Sequence, residues 1–462
     1  MTTIPEINAK DNALQVRFLY FMEHFHVRQI LRSINATKEK GVSAYAVFLS
    51  LLGLIFTQKN LYTLLNTNRE NLPFCKDVAY RFLRKAYIRW ELLVFRLSIA
   101  VIPEIKSLTS ENRRCALIID DTPYYRNRSK DVEYLSRCYD HSERRYYKGF
   151  TMLNMGWSDG QTFIPVDFRI LASGNDKNLL VGSKVPADNR TIATKRRNDA
   201  RNEKPALVLN MLKAVKGTPA QAQYVIFDSW YSSPSAILSI KGLGYDVVAR
   251  LKDHKNYRYL YNGEVLNLKQ IYAISKKRRG RSRYLLSVTV QVRHDDFSDT
   301  VTAKIVFIRD RNNRKRWIAL LATDTSLSED EVIALYGKRW SIEPFHKILK
   351  SCLRLTTEFQ LRSFDAITAH AAIVLVRYTF LAYENRTIRD DRTLGEIFHF
   401  ICEELDDIAF SDALELIFTI LGNHLRDSLN LTSTQIISFV ERFLHHLPAY
   451  INNRVHVWVC ES

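Results

Sequence analysis

The sequence predicts an α/β protein whose strands occupy the middle of the chain, framed by helical regions at both ends. Three observations predict it. Residues 1–108 carry apolar side chains at helical spacing, and short buried-strand runs and alternating segments fill residues 115–323. Helical periodicity then returns at Ser328 and persists to about residue 447.

Residues 44–57 are apolar with a period near 3.6, and residues 77–85, after Pro73, place basic side chains along one face. This pair fits a helix-turn-helix-like DNA reader and equally a generic helical bundle. At Cys115-Ala116-Leu117-Ile118-Ile119 the pattern becomes an unbroken apolar run of strand length. It ends in Asp120-Asp121-Thr122-Pro123, where Thr122-Pro123 is expected to close the strand. Strand patterns at 149–157 and 162–171 flank Ser158-Asp159-Gly160, a strong turn signal, so an antiparallel meander is expected. Residues 175–204 are polar and basic and read as a loop reaching outward, before helix resumes at 205–213. Tyr224-Val225-Ile226-Phe227 is a second short buried strand, ending in Asp228. Ser233-Pro234 then starts a helix that closes at Gly242 and Gly244. Residues 245–323 are strand-rich, with alternation at 285–292 and 301–307 and a further strand at 317–323. Ser328 to Glu331 is a helix start, and one continuous helix is expected from there to about Leu353.

Of 462 residues, 46% are hydrophobic and 25% charged, as in a globular protein that buries a large core. No uncharged apolar run reaches about 18 residues, the length that would mark a membrane span, and the N-terminus lacks the apolar centre of a secretion signal. The cytoplasm, in association with the nucleoid, is the expected compartment. The six cysteines are scattered without Cys-x-x-Cys spacing, so free thiols are expected and any metal should have oxygen ligands. The net charge of +18 is unevenly spread. Residues 250–316 hold 18 Lys and Arg against 6 Asp and Glu, whereas residues 390–441 hold 2 against 11. One segment thus suits a polyanion and another repels it. Residues 276–283 lack an amphipathic apolar face, so nucleic acid is a better partner than a membrane.

The most informative stretch runs from Tyr336 to Lys350. At about 100° per residue, Tyr336, Arg339, Glu343 and Lys350 fall within an arc of roughly 60° along about 20 Å of helix. A carboxylate bracketed by cations suits phosphodiester chemistry, in which a metal-bound oxygen is activated and phosphates are gripped. The same spacing also fits a salt-bridged surface helix. Asp121 and Asp228 at two strand ends supply two further carboxylates on rigid backbone. Only one of Asp120 and Asp121 can face such a site, and the expected strand end at Thr122 favours Asp121.

Together these residues resemble the bacterial insertion-sequence DDE transposases that cut and paste through hairpin intermediates, whose Y-x2-R-x3-E-x6-K pattern Tyr336, Arg339, Glu343 and Lys350 match. The resemblance covers about residues 110–385. It implies a ribonuclease-H-like mixed sheet with a β-rich insertion, and Asp121, Asp228 and Glu343 as catalytic ligands of two Mg²⁺ ions, with Mn²⁺ as a substitute. It further implies that Tyr336, Arg339 and Lys350, with the neighbouring Lys347, contact phosphates, and that a tryptophan of the insertion stacks on a flipped base. Trp317 is the nearest match, and it fits a core strand position equally well. Arg278, Arg279, Arg281 and Arg283 are expected to track the DNA backbone, as is the basic run 309–316.

The implied organisation is a helical DNA-binding region (1–108), a catalytic core in two parts (109–245 and 326–385), a basic insertion (246–325) and an acidic C-terminal region (386–462). The last is expected to dimerise, bringing two transposon ends together in a synaptic complex on double-stranded DNA. Two rivals stand beside a transposase. One is a domesticated, inactive DNA-binding protein, which would be expected to have lost a carboxylate. The other is a glycosidase, which would want an acidic or aromatic cleft.

Overall fold

A computed structural model describes residues 14–38, 40–57, 74–141, 143–184, 190–278, 282–310, 316–387 and 393–402, with 61, 188, 313, 432 and 435. Among the described residues, the α-helices α1 (Leu14–His24), α2 (Val27–Ser33), α3 (Ala44–Gly53), α4 (Lys76–Leu83) and α5 (Trp90–Ser107) come first. There follow β1 (Ala116–Tyr125), β2 (Ser136–Asp140), β3 (Arg145–Ser158), β4 (Phe163–Leu171), α6 (Ile192–Asp199), α7 (Lys204–Val215), β5 (Tyr224–Phe227), α8 (Pro234–Gly242) and β6 (Asp246–Arg250). The insertion region supplies β7 (Tyr259–Tyr261), β8 (Glu264–Leu266), α9 (Leu268–Ile274), β9 (Tyr284–Val292), β10 (Val301–Arg309) and β11 (Trp317–Ala322). The chain then forms α10 (Glu329–Gly337), a 3₁₀ turn (Lys338–Ser341), α11 (Ile342–Ser351) and α12 (Phe364–Thr387).

The expected mixed α/β fold is present. β4, β3 and β1 form an antiparallel meander, and β5 and β6 continue from β1 in parallel. This layout is consistent with a ribonuclease-H-like fold. The insertion does not form a sheet of its own: β11 pairs with β6, and β10, β9 and β7 follow, so one sheet of eleven strands runs throughout the described residues.

Three sequence expectations are corrected. Pro123 does not end β1, which continues to Tyr125 with Pro123 opposite Thr151. β5 pairs with β1 only as far as Ile119, so beyond that point one edge is open and Pro123 has no ladder hydrogen bond to donate there. Residues 175–204 do not all reach outward. They include α6, whose Arg196 and Arg197 are buried against Glu91, Glu133 and Asp365 at 2.5–2.9 Å. Buried guanidinium groups persist when each is paired and hydrogen-bonded, which charge-pattern reading cannot anticipate. Finally, the helix through Tyr336 and Lys350 is not continuous: a 3₁₀ turn, which winds tighter than 100° per residue, separates α10 from α11.

α12 is long and apolar enough to cross a membrane by length and composition, yet that window is wholly buried inside the protein. It packs against α3, α4, α5, α11 and β4. Its one central cation, Arg377, is fully buried, pairs with Glu358 at 2.6 Å and donates to the carbonyls of Leu51 and Leu52. The acidic region 386–462 lies outside the described residues except for 386–387, 393–402, 432 and 435.

Candidate active site

Two carboxylates arrive through neighbouring strands. β1 and β5 run in parallel register up to Ile119 opposite Phe227, and Asp120 and Asp228 are the next residues of each. Side chains alternate along a strand. Asp120 is in register with Asn154 of β3, whose side-chain amide donates to His346 Nε2 on α11 at 3.2 Å. Asp120 therefore faces α11, and Asp121 faces the other way. There Asp121 Oδ2 accepts from Lys204 Nζ at 2.7 Å and from the Tyr231 hydroxyl at 2.6 Å. The sequence favoured Asp121 for this side, but it is Asp120 that meets Glu343 through Arg339, and Asp121 is engaged by Lys204 and Tyr231.

Arg339 joins the strands to the helix. Its guanidinium donates to Asp120 Oδ2 at 3.3 Å and to Glu343 Oε1 at 3.1 Å, bridging the two carboxylates. Arg339 and Asp120 are mostly shielded, at 13% and 20% side-chain exposure, while Glu343 is 46% exposed at the mouth. Burial, then the charges of Asp121 and Asp228, push the Asp120 carboxyl up to about 7, against the pull of the Asp121 N–H and Arg339. Crowded negative charge of this kind is what a cation relieves. Burial likewise raises the phenol of Tyr336, which feels the charges of Arg339, Arg250 and Asp228 and so sits at the same centre. His346 is held neutral, its pKa lowered to about 3 by burial and by the positive charges of Lys350 and Arg339.

α11 is held in place by apolar anchors. Phe345 lies 4.7 Å from Phe163 of β4 and 4.8 Å from Tyr378 of α12, ring centre to ring centre, and Ile342 and Leu349 are fully buried. These fix which side of the helix offers Glu343 to the sheet.

The remaining expected residues are dispersed. Lys350 is half-buried beside the ring of Tyr125, 5.7 Å away near the far end of β1, and burial lowers its pKa. Lys347 is exposed on α11. Trp317 does not stand free but packs on Phe307 and Tyr272, with ring centres 4.9 and 5.4 Å away. Arg278 covers Tyr284 at 4.5 Å and Arg283 pairs with Asp330 at 3.1 Å, while Arg279 and Arg281 lie outside the described residues. Of the run 309–316, Arg311, Arg314 and Lys315 also lie outside them. Sequence reading missed Arg250, the Asn154–His346 pair, and the Lys204 and Tyr231 partners of Asp121. Asn154 is revealed by the register of β1 with β3, and the others by contacts between residues distant in the chain, neither of which a linear pattern contains.

The donors fit a divalent ion in kind, since carboxylate oxygens suit Mg²⁺ and Mn²⁺. Their spacing is not yet that of a ligand set. Among the described residues no three His, Cys, Asp or Glu side chains stand together as placed, and Arg339 is inserted between Asp120 and Glu343.

Residues 50–315 match a family model described as DDE superfamily endonuclease. The matched span contains Asp120, Asp121 and Asp228 and stops short of Glu343. No curated protein matches the chain. The match covers more than half of the chain, and Asp120, which follows the β1–β5 register next to Asp228, is tied to Glu343 by Arg339: the chain belongs to the DDE superfamily of endonucleases.

Proposed function

We propose that this endonuclease is a DNA transposase that binds the terminal inverted repeats of its element, cleaves them and joins the ends to target DNA. The observation that carries this reading is the Arg339 bridge, which ties Asp120, beside Asp228, to Glu343. Asp120, Asp228 and Glu343 would hold Mg²⁺, which supplies Lewis-acid stabilisation of the phosphate oxygens when bound. The protein's own part is to position. Arg339 and Tyr336 would take the phosphate next to the scissile bond, and Lys350 and Lys347 would grip the backbone farther along α11. Strand nicking, hairpin formation by the freed 3′ hydroxyl, hairpin opening by water and strand transfer are all in-line displacements that one such centre can serve.

The regions 1–108, 246–325 and 386–462 would serve end recognition, backbone contact and dimerisation, and the protein would work in the cytoplasm at the nucleoid. The inactive DNA-binding alternative is disfavoured because all three carboxylates remain. A nicking assay on the element's own ends with Mg²⁺ tests the reading. Glu343→Gln should lose cleavage by about a hundredfold or more while binding duplex DNA unchanged. Undiminished cleavage by that variant would refute it.

A further inference from the structure

Beside the carboxylate centre lies a run of exposed aromatic side chains that the chemistry above does not use. Trp230 follows Asp228 by two residues, and its backbone N–H donates to Asp228 Oδ1 at 2.8 Å. Its indole is nonetheless 52% exposed, the reverse of what burial energetics would select for so large an apolar ring. The ring of His141 lies 5.3 Å from it, that of Tyr139 5.0 Å beyond, and that of Tyr146 a further 5.0 Å. Tyr139 and Tyr146 are 41% and 58% exposed. Successive rings are tilted by 58–78°, so none is sealed face to face against the next.

Cations accompany the rings. Lys204 and Lys252 stand over the Trp230 indole at 5.6 and 5.1 Å, and Arg137 covers Tyr146 at 4.2 Å. Of the nearby acids, Glu143 pairs with Arg145, Asp140 accepts from the Tyr125 hydroxyl, and Asp121 accepts from Lys204 and Tyr231.

Duplex DNA offers such rings nothing, because its bases are stacked on one another. An unpaired strand offers a π-face at every base and a phosphate at every step, and exposed rings interleaved with cations are what bind it. We propose that the row from Trp230 to Tyr146 is a binding track for single-stranded DNA, which leads an unpaired strand away from the carboxylate centre. This rests on the reading of the protein as a DNA-cleaving enzyme, yet its test needs no cleavage.

The probe is a fluorescein-labelled oligo(dT) of 12 nucleotides, titrated with the full chain in EDTA and followed by anisotropy. Trp230→Ala and Tyr146→Ala should each weaken oligo(dT) binding by about tenfold, and Trp230→Phe should restore most of the loss. Affinity for a blunt duplex of equal length should change less than about twofold, with thermal melting as the control for folding. Equal loss on duplex and oligo(dT), or no loss on oligo(dT) in the folded variants, would overturn the track. Because the assay excludes metal, failure of the cleavage reading leaves this result intact, and failure of the track leaves cleavage intact.

Discussion

At the scale of the residue, Asp120 and Asp121 show how one position along a strand separates two chemical fates. Asp120 shares a guanidinium with Glu343, while Asp121 is neutralised by Lys204 and a tyrosine hydroxyl on the opposite face. Asp120→Asn should therefore reduce nicking of the element's end by about a hundredfold or more, and Asp121→Asn by far less, in the same assay. A larger loss at Asp121 than at Asp120 would return the choice to Asp121. His346 gives a second prediction, in stability. Its folded pKa of about 3 lies below the 6.5 of an unhindered imidazole. Between those values the unfolded chain takes up a proton that the folded chain refuses, so stability must fall as pH drops below about 6.5. From pH 7.5 to 5 the loss should be about 2 kcal/mol, read as a falling urea midpoint, and His346→Gln should flatten that slope. A midpoint slope that survives the substitution would exclude His346 as its source.

At the scale of the element, much was legible in the sequence. The apolar runs placed β1 and β5, Ser158-Asp159-Gly160 placed the β3–β4 hairpin, and Ser328 with Glu331 placed the start of α10, where both form a reciprocal cap. What failed was local reading of features decided by neighbours. Pro123 was compatible with a strand because its edge is open there, and α6 was hidden because its arginines are satisfied by acids 64–169 positions away. Trp317 fitted a core strand position as well as a base-stacking one, and Phe307 and Tyr272 pack on it. Close approach of strands is equally invisible in one dimension. At Gly149, where β3 passes from β2 to β4, an added Cβ would lie 2.1 Å from the Tyr124 carbonyl oxygen. Gly149→Ala should destabilise the protein by about 2 kcal/mol or more, seen as a lowered melting temperature, since backbone rather than a movable side chain must give way. An unchanged melting temperature would mean that β1 and β3 can separate at that point.

At the scale of the whole molecule, the N-terminal helices and the Glu343 helix share one support, α12, and a buried ionic web adds a second tie. Arg196 and Arg197 of α6 connect Glu91 of α5, Glu133 before β2 and Asp365 at the start of α12. Removing one member strands charges that cannot reach water. Arg197→Met should cost about 3–5 kcal/mol in urea denaturation, far more than loss of a surface pair. A loss below about 1 kcal/mol would show that solvent enters the web. The Arg339 bridge has a different consequence. A resting enzyme that already supplies its own counter-charge gains little from an ion that merely arrives, because that ion must exchange with a tethered one. If the proposed function holds, a phosphodiester that draws the guanidinium aside would release both acids in the same event, and nucleic acid and a divalent ion would each raise the other's affinity by reciprocal linkage. On the proposed reading, the protein would then idle among dissolved magnesium until a DNA end displaces Arg339.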